Sequence, residues 1–398
     1  MIRRDAIEAL VLEHGREGYL QVQALLLEGK ELPNGRRQRA RPEEFSLRSL
    51  WEGLVGPIES TLAFAADQMG YVQMPIREAV TTSAFPSAVG QLISAKVIDG
   101  YDMPGAIGDE LVTVVPSKLR GERMVGFTSL QGPKIVEEGE PYQDSTFREK
   151  YVTTTETKRG RLLSVSEEAV FFDQTGQLLL RAQSLGGQLR ANREKRIIRA
   201  IADVASTERV YRPGGVPTQL YSAGNNSLLA TATPLVDWTD IQEALAYYAL
   251  NQRDDREPDD SSGTDPIIWM PTHIVTAQEQ AGTAARIVNA VEDRTNTGTA
   301  TVITAGVARQ LVPGLRAVAS PFLDAAQGAD QWDDASDWLI GDFKRQFIYK
   351  EIWPLQTLRA PAQNDEEFER DIVARYKARE YGDVNATDHR LVVKVNAV

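Results

Sequence analysis

The sequence contains no cysteine and only three histidines, His14, His273 and His389, in 398 residues. The missing cysteine excludes disulfides, thiol nucleophiles, thiolate zinc sites and iron–sulfur clusters. The histidines are far apart along the chain, and none has a second histidine at metal-ligand spacing. Because histidine is the commonest general base and metal ligand, this composition argues against most classes of enzyme.

Recurrent catalytic motifs are missing as well. The sequence has no phosphate-binding loop, no dinucleotide-binding glycine motif, no nucleophile elbow and no His-Glu-x-x-His. The aspartate-rich stretch 254–265 lacks the EF-hand pattern and is interpreted as a solvated loop. Glu167 and Glu168 precede a predicted helix, where acids stabilise the helix dipole, and His273 is interpreted as structural. We therefore predict no enzyme, no cofactor, and no catalytic, cofactor-binding or metal-binding residues.

Long apolar runs are also absent, because no stretch approaches the roughly 18 to 20 residues that cross a bilayer. The opening residues Met1–Asp5 do not have the pattern of a secretory signal, so we expect a soluble protein made in a cytosol, without a membrane partner. The net charge of −12 argues against a protein that binds nucleic acid through a basic surface. The one basic cluster, Arg36–Pro42, is interpreted as a solvated linker.

The first 70 residues carry apolar side chains at helical spacing. This spacing predicts two short helices before residue 30 and a longer amphipathic helix over Ser46–Met69, with Ser46 as its N-cap. Such an arm has an apolar stripe that can pack on its own domain or on another copy of the chain.

Between about Leu111 and Glu168 the residue pattern becomes typical of β-strands. Strands are predicted at Leu111–Val115 and Lys150–Lys158, and the stretch between them is acidic and rich in glycine and proline. We predict a long hairpin over Arg123–Lys158 with few apolar residues. Because an isolated two-stranded ribbon is marginal in water, this hairpin is expected to lie on a partner surface.

A long helix is predicted next, over about Gln174–Val204. Its apolar stripe, broken only at Arg193, is formed by Leu178, Ala182, Leu185, Leu189, Ile197, Ile201 and Val204. At about 1.5 Å per residue it spans on the order of 45 Å. Gly186 and Gly187 are expected to weaken it and to mark a bend.

The rest of the chain alternates helices with short apolar strands, which predicts a compact α/β module followed by terminal strands. Helices are predicted at Asp237–Asn251 and from about Thr276. Strands are predicted at Pro266–Met270, Leu315–Ala319, Trp338–Ile340, Phe347–Tyr349, Asp371–Glu380 and Leu391–Asn396.

The order of these parts resembles the major capsid proteins of tailed double-stranded DNA bacteriophages, the Hong Kong 97-like fold. The segment Glu149–Asp173, with its Leu-Leu-Ser-Val-Ser-Glu-Glu run, looks like the family's returning E-loop strand and its turn into the spine helix. Further segments that resemble the family are Pro266–Ala281, Trp338–Asp342, Asp371–Arg379 and Leu391–Val395. The resemblance covers about Leu111–Val398, and a Mu-like branch is the nearest form.

The resemblance implies an α+β fold. The implied parts are an N-terminal arm (1–70), the start of a P-domain (71–120), an E-loop hairpin (121–160), the P-domain with the spine helix (161–235, helix about 174–204), an A-domain (236–353) and terminal P-domain strands (354–398). It further implies a structural protein that self-assembles into pentamers and hexamers of an icosahedral head in the bacterial cytoplasm and is found in the virion. The implied partners are other copies of the chain, scaffold, portal and decoration proteins, and packaged double-stranded DNA without sequence-specific contact.

Two alternatives stay open from the sequence. An encapsulin-type nanocompartment shell shares the fold but holds a protein cargo. A soluble α/β enzyme with an unrecognised site would have to work almost without histidine and wholly without cysteine. A phage tail or decoration protein is disfavoured by the long helix between hairpin and α/β module.

Overall fold

The structure is a computed structural model, and it describes residues 30–31, 37–38, 46–54, 76–127, 130, 135–142, 144–204, 208–210, 218–231, 233–254, 265–296, 301–323, 336–360 and 372–396. The helices predicted before residue 30, most of the basic cluster and most of the aspartate-rich loop lie outside these residues.

Nine α-helices and seventeen strands are found among the described residues. The helices are α1 (Leu47–Leu54), α2 (Ile76–Tyr101), α3 (Gly108–Leu111), α4 (Glu167–Phe171), α5 (Thr175–Ala202), α6 (Trp238–Asn251), α7 (Ala281–Asn289), α8 (Val307–Leu311) and α9 (Phe343–Gln346). The strands are β1 (Lys30–Glu31), β2 (Arg37–Gln38), β3 (Thr113–Pro116), β4 (Arg123–Phe127), β5 (Glu149–Thr153), β6 (Thr157–Ser166), β7 (Arg209–Val210), β8 (Thr218–Gln219), β9 (Leu228–Leu229), β10 (His273–Ala277), β11 (Glu292–Asn296), β12 (Thr301–Ala305), β13 (Arg316–Ser320), β14 (Trp338–Gly341), β15 (Phe347–Arg359), β16 (Ile372–Ala386) and β17 (Val392–Val395).

The chain forms two compact units, each built from three separate segments. The first unit contains Met1–Gly105, Lys158–Asn192 and Trp353–Tyr381. The second contains Ala106–Thr157, Arg193–Ile352 and Gly382–Val398.

In the first unit, α2 lies directly against α5. A Cβ atom on Gly100 would overlap the carbonyl oxygen of Gln183, and one on Gly186 would overlap the carbonyl oxygen of Val97. Glycine is therefore required where the two backbones meet. The apolar side chains around this contact, among them Leu92, Ile93 and Leu178, form one buried core. Gly186 thus allows the two helices to pack closely, a role that was not predicted from the sequence.

The second unit contains a five-stranded mixed sheet with the order β13-β10-β14-β17-β9. Strand β10, the second in this order, is parallel to β13 and antiparallel to β14. Because side chains alternate along a strand, Ile274 packs in one buried core and Val275 in a second. Burial on both faces explains why every residue of β10 is buried. A second sheet has the order β3-β15-β16-β6.

Most of the elements predicted from periodicity are confirmed. The long helix is α5, with 28 residues, and the predicted strands at Leu315–Ala319, Trp338–Ile340, Phe347–Tyr349 and in the tail correspond to β13, β14, β15, β16 and β17. Asp237 forms a capping box with Asp240 at the start of α6. Ser46 lies directly before α1, where its carbonyl accepts a hydrogen bond from Leu50 N while its hydroxyl donates to Asp173.

The predicted buried strand Pro266–Met270 is wrong. Ile268 is 99% exposed and Met270 58% exposed, and only Pro266 makes an isolated bridge, to Arg253. Ile267 and Trp269 are partly buried against the core, and Trp269 stacks on Tyr248, with 3.9 Å between ring centroids. The ladder hydrogen bonds are made by β10 instead, so the helix predicted from Thr276 begins only at Ala281.

Two β predictions need smaller corrections. The strand predicted at Leu111–Val115 begins at Thr113, because Leu111 ends α3. The strand predicted at Lys150–Lys158 is split into β5 and β6, because Thr154 and Glu156 between them turn towards a buried lysine.

Candidate assembly surface

The predicted hairpin is confirmed by the antiparallel pairing of β4 with β5. Arg123 lies opposite Thr153 and Phe127 opposite Glu149. The guanidinium of Arg123 lies 4.7 Å from the ring centroid of Tyr151 on the neighbouring strand. Cross-strand pairs of this kind stabilise a ribbon that has little core of its own.

Large apolar side chains of the hairpin and its flanks are exposed to solvent. They are Leu119 (61%), Leu130 (60%), Ile135 (96%), Tyr142 (88%), Phe147 (53%) and Tyr151 (39%). Single exposed apolar residues are normal on protein surfaces, whereas several in one segment mark an interaction surface. This segment is therefore the candidate assembly surface.

A buried lysine of β15 contacts the residues at the two ends of the hairpin. We call these residues, Glu122, Thr154 and Glu156, the root of the hairpin. Lys350 is 2% exposed, and its Nζ lies 3.1 Å from Glu156 Oε1 and 3.2 Å from Glu122 Oε2. It also donates to Thr154 Oγ1 at 3.1 Å. Glu122 precedes β4 and Glu156 follows β5, so one ammonium group holds both ends of the hairpin.

Hydrogen bonds complete this root. Glu156 Oε2 accepts from Gly121 N at 2.9 Å, and the Thr154 hydroxyl donates to the Glu122 carbonyl at 3.0 Å. Burial raises the pKa of Glu156, but the hydrogen bond from Gly121 N and the neighbouring Lys350 ammonium outweigh burial and hold it below its usual value. The pKa of Glu122 is also lowered, chiefly by its hydrogen bond from Lys350.

Acid is expected to weaken the root of the hairpin. The folded-state pKa of Glu156 lies below its ordinary value of 4.5, so its contribution is fully present above that pH and is lost as the pH falls through the lower folded value. Urea unfolding of wild type and Glu156→Gln at about pH 7 and about pH 3 measures this effect. Wild type should lose more stability than the variant on acidification; equal losses would contradict the assignment.

A second tie joins β5 to the segment after β16. Lys150 Nζ lies 3.1 Å from Asp388 Oδ2, and Arg390 Nη2 donates to the same oxygen at 2.7 Å. Burial raises the pKa of Asp388, but Arg390 and Lys150 outweigh burial and hold it well below its usual range. A cleft of about 240 Å³ lies beside this cluster and is lined in part by Asn226, Asp254 and Arg390.

The anchors of the hairpin were not predicted from the sequence; they are Lys350, Asp388 and the two glutamates. Each is a common charged residue whose partner lies far away in sequence, 194 residues in the case of Glu156 and Lys350. The only hint in the sequence is Lys350 itself, a charge directly after the apolar run Phe347–Tyr349. Pairing at this distance has no local sequence signal.

No catalytic centre was predicted, and that stays a prediction. His273 begins β10, its Nδ1 lies 2.9 Å from Thr272 Oγ1, and burial lowers its pKa. Within the described ranges, no three residues among His, Cys, Asp and Glu are grouped so that they could hold a metal ion. In the same part of the chain, no helix is both long and apolar enough to span a membrane.

Sequence comparison places the chain among structural proteins of phage particles. The family model described as phage capsid protein matches residues 149–395, which is more than half of the chain. The chain belongs to the phage capsid protein family. The predicted phage capsid family is confirmed by this match, and the predicted α+β class is confirmed by the mixture of helices and strands. No curated protein matches the sequence.

Several solved structures are similar to the chain. The capsid of the empty GTA particle is 12% identical, with a TM-score of 0.45, covering 74% of this chain and 91% of that one. Gordonia phage Cozz is 15% identical, with a TM-score of 0.44 and coverages of 73% and 86%. The holo-SrpI encapsulin complex from Synechococcus elongatus PCC 7942 is 11% identical, with a TM-score of 0.42 and coverages of 74% and 88%.

Proposed function

We propose that this chain is the major capsid protein of a tailed phage, which self-assembles into pentamers and hexamers of an icosahedral head enclosing double-stranded DNA. In this proposal residues 1–70 are the N-terminal arm, 121–160 the E-loop and α5 the spine helix. The A-domain is 236–353, and the P-domain comprises 71–120, 161–235 and 354–398. The further partners are scaffold, portal and decoration proteins, and assembly takes place in the bacterial cytoplasm.

The observation that carries this proposal is the exposed apolar surface of the hairpin. Ile135 is 96% exposed and Tyr142 88% exposed. Burial of an exposed apolar side chain contributes about 1.5–3 kcal/mol, so a shell that repeats this contact at every subunit gains substantial stability. The ties at Lys350 and Lys150 hold the ribbon in place before it meets a neighbour, which lowers the entropy lost on association.

Shortening the hairpin is expected to abolish shell formation while leaving the subunit folded. Phe127 and Glu149 lie opposite each other, so residues 128–148 can be replaced by an Asn-Gly turn without changing the register. Electron microscopy and circular dichroism of the purified variant measure assembly and folding. Shells of normal size and number from this variant would contradict the role of the hairpin.

A milder variant tests the apolar contacts alone. Ile135→Ser combined with Tyr142→Ser should raise the concentration needed for assembly by at least about tenfold, since two exposed apolar side chains lose their contact area. Ile268→Ser is the matched control, because Ile268 is 99% exposed outside the hairpin. If Ile268→Ser raises the concentration needed for assembly by the same factor, the hairpin contributes no more to assembly than other exposed apolar residues do.

An encapsulin-type shell is the rival proposal, and the contents of purified particles separate the two. A phage head co-expressed with its packaging proteins should contain nuclease-protected double-stranded DNA. A nanocompartment should instead contain a folded protein cargo and no protected DNA.

A further inference from the structure

A polar cleft lies at the carboxyl end of α6, beside the contact between Lys150 and Asp388. Its volume is about 240 Å³, and Asn226, Asn251 and Gln252 are among the residues that line it. Asn251 is the last residue of α6 and Gln252 is its C-cap, and the last turn of the helix carries no basic residue. Because the peptide dipoles give the C-terminus of a helix partial negative charge, this position favours a cation. We call it the amide cleft.

Three side-chain amides of the amide cleft use their nitrogen atoms to bind main-chain carbonyls. Asn226 Nδ2 donates to Asn251 O at 3.0 Å, and Asn251 Nδ2 donates to Tyr247 O at 2.8 Å. Gln252 Nε2 donates to Asn226 O at 2.6 Å and to Asn225 O at 3.1 Å. Among the residues that the structure describes, no donor contacts the oxygen of any of these three amides. Gln252 is only 2% exposed, and a polar group so deeply buried normally has a partner. The cleft therefore offers hydrogen-bond acceptors that the chain itself does not use.

Most of the charges around the amide cleft are already paired. Lys150 Nζ and Arg390 Nη2 lie 3.1 and 2.7 Å from Asp388 Oδ2. Asp254 is held less closely, since its Oδ1 lies 3.5 Å from Arg390 Nη1. Arg253 is exposed, so water screens its charge. The Asp254 carboxylate is therefore the charge in the cleft that a ligand can still use.

An apolar cleft adjoins the amide cleft. It has a volume of about 390 Å³ and shares Asp254, Asp388 and Arg390 with the amide cleft. Apart from Arg345, its remaining lining residues are apolar: Pro266, Ile267, Ile268 and Leu391. Hydrogen-bond acceptors and a carboxylate thus lie next to a surface that favours hydrocarbon.

We propose that the two clefts together bind an aliphatic primary amine, with its ammonium group on the amide oxygens and Asp254 and its carbon chain over Ile267 and Ile268. An ammonium group has three N–H donors and no acceptor, which matches the three unused amide oxygens. An anion would instead meet acceptor atoms and the negative end of α6. A calcium ion prefers several carboxylates, and the described part of the chain has no group of three acidic or histidine residues that could hold a metal.

This inference goes beyond the proposed function. All the residues named belong to the second unit, so binding can be measured on the full-length subunit whether or not it forms shells. A free alkylamine and a lysine side chain of another protein offer the same chemistry, and the choice of probes separates the two.

Isothermal titration calorimetry of the full-length protein with small probes tests the site. n-Pentylamine should bind, and pentanoate, which has a similar carbon chain and the opposite charge, should bind at least about tenfold more weakly. Ethylamine should also bind about tenfold more weakly, since it lacks three of the methylene groups that contact the apolar cleft. Tighter binding of Nα-acetyl-lysine amide than of n-pentylamine would assign the site to a lysine side chain of a partner. The reverse order would assign it to a free amine, and both orders support an ammonium site.

Single substitutions locate the bound ammonium group. Asp254→Asn removes the carboxylate and Asn251→Ala removes one amide oxygen, and each should weaken the binding of n-pentylamine by at least about fivefold. Glu243→Gln is the matched control, because it removes one negative charge from an exposed position of the same helix and should change the affinity by less than about twofold. Circular dichroism checks folding, and Asp254→Asn with its control decides the test if Asn251→Ala does not fold.

Three results would overturn the proposal. The first is the absence of binding by every amine at millimolar concentration, and the second is equal binding of n-pentylamine and pentanoate. The third is displacement of n-pentylamine by an equal concentration of calcium chloride, which would assign the oxygen atoms to a metal ion.

Discussion

Replacing Lys350 by methionine is expected to lower the free energy of unfolding by about 3–5 kcal/mol. The methionine keeps much of the side-chain volume but removes the ammonium that lies 3.1 Å from Glu156. The Glu156 side chain has no solvent exposure, so its carboxylate would be left buried without a counter-charge. Removing one partner of a buried ion pair destabilises a protein far more than an exposed ion pair stabilises it. Urea unfolding of the purified subunit measures the change.

Lys344→Met is the matched control for this experiment. Lys344 is exposed, so its replacement should change stability by no more than about 0.5 kcal/mol. Adding Glu156→Gln to Lys350→Met removes the orphaned charge and should recover part of the loss, because glutamine can still accept the hydrogen bond from Gly121 N. A loss below about 1 kcal/mol for Lys350→Met would show that the root of the hairpin does not depend on this ion pair.

Gly186→Ala is expected to destabilise the first unit by about 3 kcal/mol, although alanine is the better helix former. The added methyl would overlap the Val97 carbonyl oxygen, so α2 and α5 would have to move apart. The adjacent Gly187 is the control, because a Cβ there would meet only Gly100 O, at 3.6 Å. Gly187→Ala should therefore stabilise the protein by about 0.5–1 kcal/mol.

Thermal or urea unfolding of the two alanine variants gives opposite signs if the close contact between α2 and α5 is correct. A stabilising Gly186→Ala would mean that the two helices do not touch at this position. Equal stabilisation by both substitutions would mean that helix propensity alone decides the outcome, which is what the two glycines suggested from the sequence.

Elements with strong local patterns could be predicted from the sequence. The apolar stripe of α5 is visible from Leu178 to Ile201, and Asp237 precedes α6 with an acid three residues later. Strands β13, β14 and β17 are short apolar runs between turn residues, and the order of all these parts pointed to the capsid family. Apolar periodicity and helix caps depend on residues that are close together in the chain, so they can be recognised from the sequence alone.

Other features depend on contacts that the sequence does not display. Helix α2 was not predicted, because Pro86 in its interior removes a backbone donor and is typical of a helix end. Arg193, which breaks the stripe of α5, is buried because Asp109 and Glu351 pair with it at 3.0 Å. The alternation in Pro266–Met270 resembles a strand, but backbone pairing at β10 decides which segment joins the sheet.

The candidate assembly surface was predicted only in outline. Polar strands around an acidic stretch indicated a hairpin that needs a partner, and the pairing of β4 with β5 confirms the hairpin. The anchors of the hairpin are pairs of residues that are distant in sequence, such as Lys350 with Glu156. These contacts can be identified only from the structure of the folded chain.

Negative-stain electron microscopy of the expressed protein after size-exclusion chromatography tests the central claim most directly. A capsid subunit should give hollow, uniform, angular particles tens of nanometres across, or discrete pentamers and hexamers. If none form, the measurement is repeated with the proteins encoded beside it, since a scaffold can be required. A monodisperse monomer or dimer at every concentration and salt, with and without those proteins, would contradict the assignment as a shell protein.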